Sequence, residues 1–77
     1  MENSYKRKNF ARIAEKRTIR ALEAIRVIGN LSNRSNYDFT EKDVIQIKIA
    51  LNREVSNMAR RFSDSNSAAR AEFRLEG

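Results

Sequence analysis

Apolar residues recur along the chain with the spacing of two amphipathic helices. Nothing breaks a helix between Phe10 and Ile28, and at about 100° per residue one set of side chains falls on a single face with Phe10 at its edge. The members of that face are Ala11, Ala14, Thr18, Ala21, Leu22, Ile25 and Ile28. We expect Gly29 to end this helix in the left-handed conformation that glycine accepts.

The second predicted helix has a clear start signal. Thr40 is expected to cap its N-terminus, with Asp43 completing a capping box three residues later. Phe39 and Val44 have the spacing of a hydrophobic staple. Apolar residues then recur every three or four positions, at Val44, Ile47, Leu51, Val55, Met58 and Phe62. The pattern therefore predicts helices over residues 10–28 and 41–62.

Two polar segments follow these helices. Residues 30–39 are rich in Asn and Ser, which favour turns, and are predicted to form a connector. Residues 63–67, Ser-Asp-Ser-Asn-Ser, predict a break. We expect one helical hairpin domain over residues 1–62, followed by a segment over residues 63–77. That segment is either a polar tail or a short C-terminal helix with Ala69 and Phe73 facing inward.

The predicted fold class is all-α, an antiparallel αα-hairpin of two long amphipathic helices. A second, weaker apolar set lies off the two main faces and comprises Ile13, Ile19, Ala24, Val27, Ile45 and Ile49. A lone hairpin would leave this set exposed, whereas two hairpins paired in a dimeric four-helix bundle would bury most of it. The competing interpretation is that these residues are ordinary surface side chains.

Charge is concentrated towards the N-terminal end. The chain of 77 residues has a net charge of +6, and residues 1–20 contain seven basic and two acidic side chains. Four of the basic residues are spaced by four, a basic column on the side of the first helix away from its apolar face: Lys8, Arg12, Lys16 and Arg20. Such a polarised field favours an acidic partner.

The candidate binding site contains all seven of these cations: Lys6, Arg7, Lys8, Arg12, Lys16, Arg17 and Arg20. They are expected to bind the phosphates of nucleic acid or an acidic protein surface. The competing interpretation is a solvated face, in which Glu15 and Glu23 reduce the repulsion between the basic side chains. The sequence contains neither the spacing of a helix-turn-helix motif nor a zinc finger, so it does not predict sequence-specific recognition of bases.

The sequence lacks the residues that disulfides, metal sites and most enzyme active sites require. The chain has neither Cys nor His, so disulfides are excluded, a metal site is not expected, and the usual general base and thiol nucleophile are missing. We expect no enzyme activity, no cofactor and no small-molecule substrate. The longest apolar run, Ile49-Ala50-Leu51, predicts no membrane span, and without a targeting signal a cytoplasmic location is expected.

Two functional hypotheses remain. In the first, the protein is a small basic helical module that contacts the phosphate backbone of nucleic acid or a nucleoprotein. In the second, it is a protein-binding regulator or inhibitor that docks its basic helix and connector on an acidic partner. Leu31, Arg34 and Tyr37 of the connector are then candidate contacts, because loops often carry function. Tyr37 could instead pack against the end of the hairpin.

Overall fold

The computed structural model describes the backbone of residues 2–76 and the side chains of residues 4–65. Within that part the chain contains two α-helices and no strand: α1 spans Glu2–Gly29 and α2 spans Glu41–Glu76. A short 3-10 helix at Asn30–Ser32 follows α1. The chain divides into two compact units, residues 1–38 and residues 39–77. The all-α prediction is confirmed.

Helix α1 begins about two turns earlier than the predicted start at Phe10. No proline or glycine interrupts residues 2–9, and side-chain contacts link positions three apart near this end. The Arg7 guanidinium lies over the Phe10 ring, 5.8 Å from its centre. Arg12 Nη2 donates a hydrogen bond to Asn9 Oδ1 at 2.8 Å. Each such pair adds about 0.2–0.5 kcal/mol to a helix, which favours continuing α1 towards Glu2.

The end of α1 confirms the predicted position and corrects the predicted conformation. Gly29 is the last residue of α1, but its φ of −61° and ψ of −24° are right-handed. No residue with a described backbone has a positive φ. The chain leaves the α-helix through the tighter 3-10 turn of Asn30–Ser32, so the left-handed stop expected at Gly29 is wrong.

The N-terminus of α2 forms the predicted capping box. The backbone N–H of Asp43 donates to Thr40 Oγ1 at 3.2 Å, and the backbone N–H of Thr40 donates to Asp43 Oδ2 at 2.9 Å. Two backbone donors that a helix start leaves unsatisfied are thereby paired reciprocally. Glu41 and Asp43 also place negative charge in the first turn, where the helix dipole is positive.

Helix α2 passes without interruption through the segment that was expected to break it. The predicted helix end near residue 62 is wrong, because α2 is helical through residues 63–67 and ends at Glu76. Ser, Asn and Asp each lower helix propensity by well under 1 kcal/mol, whereas Gly and Pro, both missing from residues 41–76, cost more. The predicted inward positions of Ala69 and Phe73 lie outside the described side chains.

The apolar faces of the two helices remain exposed or half-buried over the residues whose side chains are described. Between residues 4 and 65 no side chain is buried. The least exposed apolar residues, among them Ile13, Ile28 and Leu51, are only half-buried. Since most of the stability of a protein helix comes from packing its apolar face, both helices still have favourable burial to gain.

Replacing Gly29 with alanine should stabilise α1. Gly29 is right-handed, and a Cβ built there meets no atom within 4 Å. Alanine should therefore raise the stability by about 0.5–1 kcal/mol, measured by thermal unfolding followed by circular dichroism. The matched control is Gly29→Asn, because Asn tolerates the left-handed region better and favours helices less. A larger gain from Asn than from Ala would contradict the right-handed assignment.

Removing the Thr40 hydroxyl should weaken α2. Thr40→Ala deletes the acceptor of the Asp43 N–H, and the loss of such a cap costs about 0.5–2 kcal/mol. The control is Ser56→Ala, which removes an exposed hydroxyl from the interior of the same helix and should be neutral or slightly stabilising. Urea unfolding curves compare the two variants, and equal midpoints would refute the capping role.

Candidate nucleic-acid interface

The basic column Lys8, Arg12, Lys16 and Arg20 lies along α1, and all four side chains are exposed. Each step of four residues rises about 6 Å along an α-helix and turns about 40° around it. The Cα atoms from Lys8 to Arg20 therefore extend over about 18 Å. This length is enough to meet several charges of a polyanion at once.

The acidic neighbours of the basic column do not neutralise it by direct contact. Among the described side chains, Lys8, Lys16 and Arg20 form no ion pair with Glu15 or Glu23. Within residues 4–65, the one side-chain hydrogen bond of the column is donated by Arg12, and its acceptor is the uncharged amide oxygen of Asn9. The cations thus keep their charge available for a partner.

A shallow, open groove follows the basic column and is contained within α1. It is lined by Lys8, Ala11, Arg12, Glu15, Lys16 and Ile19. Its three cations stand beside the Glu15 carboxylate and the apolar groups of Ala11 and Ile19, so the surface combines a net positive charge with aliphatic contact area. Because the groove is open, it is better suited to an extended ligand lying across α1 than to an enclosed small molecule.

The other three predicted cations do not lie with the basic column. At about 100° per residue, Lys6 and Arg17 are positioned near one edge of the apolar face of α1, and Arg7 falls within that face. The guanidinium of Arg7 is already placed over Phe10. These three residues contribute to the positive field of α1, but not to a single contact surface with Lys8 and Arg12.

Sequence reasoning missed three residues on the column side of α1. Tyr5, whose side chain is 73% exposed, lies three residues before Lys8 on that side. Asn9 orients Arg12 through its amide. Arg26 shares the helical position of Lys8, because eighteen residues make about five turns. The five-turn spacing between Lys8 and Arg26 could have been recognised in the sequence. Tyr5 can be assigned to this side of α1 only because the helix begins at Glu2 and not at Phe10.

The connector is ordered by its own hydrogen bonds. The carbonyl oxygen of Asn33 accepts from the backbone N–H groups of Asn36, at 3.1 Å, and Tyr37, at 3.0 Å. Asn33 Oδ1 accepts from the N–H of Ser35 at 3.0 Å. Tyr37 on this turn and Leu31 in the 3-10 helix before it are about half exposed, and Arg34 is also exposed. Arg34 and Tyr37 are therefore displayed by a defined turn, and Leu31 by the 3-10 helix that precedes it.

The described part of the chain contains neither a candidate metal site nor a candidate membrane span. There, no three His, Cys, Asp or Glu side chains are grouped so that they could hold a metal ion. Neither α1 nor α2, over its described residues, has a stretch that is both long and apolar enough to cross a membrane.

Comparisons with protein-family models, with curated proteins and with solved structures find no match to this chain. Functional assignment therefore depends on the charge and the geometry of its own residues. The basic column carries the greater weight, because it combines a repeated spacing with exposed charge on a single helix.

Proposed function

We propose that this protein is a small, non-catalytic binding module that contacts the phosphate backbone of nucleic acid, free or within a nucleoprotein. The contact is made by the basic column Lys8, Arg12, Lys16 and Arg20, and Lys6, Arg7 and Arg17 strengthen the surrounding field. One observation carries this proposal: the four cations of the column are exposed along one helix and form no ion pair within the described chain.

The spacing of the basic column has an energetic cost that a polyanion would remove. Like charges four residues apart on a helix destabilise it by about 0.2–0.5 kcal/mol per pair. The column contains three such neighbouring pairs. Phosphates lying along α1 would turn this repulsion into attraction, and each neutralised phosphate would release condensed counterions.

The proposed interaction depends on backbone contact and not on base sequence. Lys and Arg that contact phosphates fix the position of a protein on nucleic acid but carry no sequence information. Exposed Tyr5, on the same side of α1, adds an aromatic ring on which an unpaired base could stack. We therefore expect binding that depends strongly on salt and weakly on sequence.

We also propose the assembly that presents the basic column. The two helices pair as an antiparallel hairpin, and two hairpins form a four-helix bundle. Support comes from the amphipathic pattern of both helices, together with the finding that residues 4–65 contain no buried side chain. A bundle would cover the apolar faces and leave the basic column on the outside.

Neutralising two residues of the basic column should weaken the salt dependence of binding. The logarithm of the affinity falls with the logarithm of salt by about 0.9 per phosphate contact on duplex DNA and about 0.7 on single strands. The double variant Arg12→Gln with Lys16→Gln loses two such contacts. The plot of log affinity against log salt should therefore become less steep by about 1.4–1.8, and the affinity at low salt should fall. Fluorescence anisotropy with a labelled oligonucleotide across a salt series measures both quantities.

The matched control removes the same charge from the other helix. Arg53 and Arg60 are exposed on α2, and replacing both with Gln should leave the slope nearly unchanged. If the plot becomes less steep by the same amount for both double variants, binding depends on the net charge of the protein and the basic column has no special role. If the unmodified protein does not bind at low salt, the proposal fails.

A second candidate function is protein binding through the connector. It is favoured by the 3-10 helix and the turn at Asn33, which display Leu31 and Tyr37 respectively, each about half exposed. Aromatic residues are frequent anchors of protein interfaces, and an ordered loop loses less conformational entropy when it binds. In this alternative the protein is a regulator or inhibitor with an acidic protein partner.

Replacing Leu31 and Tyr37 with Ala should abolish capture of a defined partner, if the connector is the contact. The bait is the purified protein after nuclease treatment, and the captured proteins are identified by mass spectrometry. The double variant Arg53→Gln with Arg60→Gln serves as control and should capture the same partner. A capture that survives loss of both connector side chains excludes this surface, and recovery of nucleic acid alone favours the first function.

A further inference from the structure

Helix α2 carries an apolar stripe that is exposed along its whole described length. The stripe consists of Val44, Ile47, Leu51, Val55, Met58 and Phe62; Leu51 is half-buried, and the others are between 41% and 54% exposed. Five steps lead from Val44 to Phe62, an average of about 3.6 residues that matches the α-helical repeat. The stripe therefore runs straight along α2 within an arc of about 80°.

We propose that this stripe packs against the same stripe of a second copy of the chain, with the two α2 helices antiparallel and centred near Arg53. The inference identifies which surfaces meet in the proposed assembly, and it does not depend on nucleic-acid binding. It involves only residues 39–77, which form one of the two compact units.

The sizes of the side chains favour the antiparallel direction. The spacing of the stripe is nearly symmetric about Arg53, so that each residue of its first half faces one of its second half. Val44 then meets Phe62, Ile47 meets Met58, and Leu51 meets Val55. The large Phe62 opposes the small Val44, Leu51 opposes the smaller Val55, and Ile47 and Met58 are similar in size, which gives layers of even thickness. A parallel pair in register would place Phe62 on Phe62 and Val44 on Val44, leaving one end crowded and the other underpacked.

The charges beside the stripe favour the same arrangement. Asp43 and Arg61 share one helical position, because the eighteen residues between them make about five turns. Both lie along the same edge of the stripe. In an antiparallel pair centred near Arg53, Asp43 of each copy comes opposite Arg61 of the other, which creates two opposite-charge contacts. Glu54 lies at the centre of the same edge and faces Glu54 of the other copy, so the arrangement also contains one like-charge contact. The capping bond from the Thr40 N–H holds the Asp43 carboxylate at this edge.

Disulfide trapping can test the pairing directly, because the chain contains no native cysteine. The full-length single variants Ile47→Cys and Met58→Cys are prepared free of nucleic acid and oxidised separately and as an equimolar mixture. The proposal predicts that the mixed disulfide is the main oxidised product of the mixture. Each variant alone should cross-link poorly, since about eleven residues, or about 16 Å, separate the like positions, whereas a disulfide needs Cα atoms within about 7 Å. Mass spectrometry separates the three products.

Arg53→Cys is the control for random collision. It lies at the centre of the proposed pair but on the opposite side of α2 from the stripe, so it should give little dimer. Self-linked Ile47→Cys as the main product would establish a parallel pair and overturn the proposal. Equal yields from all variants would overturn it too. Sedimentation equilibrium of the unmodified protein covers the case in which a cysteine variant does not fold: a concentration-dependent dimer is expected, and a strict monomer overturns the proposal.

Discussion

Uncovered apolar surface is the constraint on which the rest of this structure depends. Two helices form with caps and side-chain contacts of their own, yet no side chain between residues 4 and 65 is buried. Local terms such as the capping box contribute about 1 kcal/mol each. Complete burial of an exposed Leu or Phe contributes about 1.5–3 kcal/mol, and about half of that remains to be gained at each half-exposed position of the two apolar faces, such as Leu51 and Phe62. The largest favourable term thus remains to be gained by contacts between helices, and the proposed assembly follows from this imbalance.

The two helices differ in the kind of surface that their sequences present. Helix α2 has the cleaner apolar stripe, with Leu, Met and Phe among its members, and is suited to packing. Helix α1 has small residues on its apolar face and the basic column on the other side. One helix therefore offers mostly contact area and the other mostly charge, so the two proposed roles, assembly and binding of a polyanion, would fall to different helices.

The sequence predicted those features that depend on local chemistry. The start of α2 was correct to the residue, because Thr40 and Asp43 make reciprocal hydrogen bonds that require only their spacing. Helix ends without such a signal were misplaced: residues 2–9 and 63–67 contain polar residues of modest helix propensity, and neighbouring strong formers carry the helix through them. Gly29 was assigned the wrong conformation because glycine permits the left-handed region without requiring it. The basic column was visible in the sequence, but the separation of Arg7 from it depends on helical register and on the Phe10 contact.

The turn of about 40° at each step of the basic column would limit the shape of the proposed polyanion. From Lys8 to Arg20 the column moves about 120° around α1, so it follows an oblique path and not a line parallel to the axis. A rigid, straight polyanion laid along the axis could approach only two or three of the four cations. A backbone that crosses α1 obliquely, or bends around it, could approach all four. Curvature of the ligand, more than its base sequence, would then determine how many charges are satisfied.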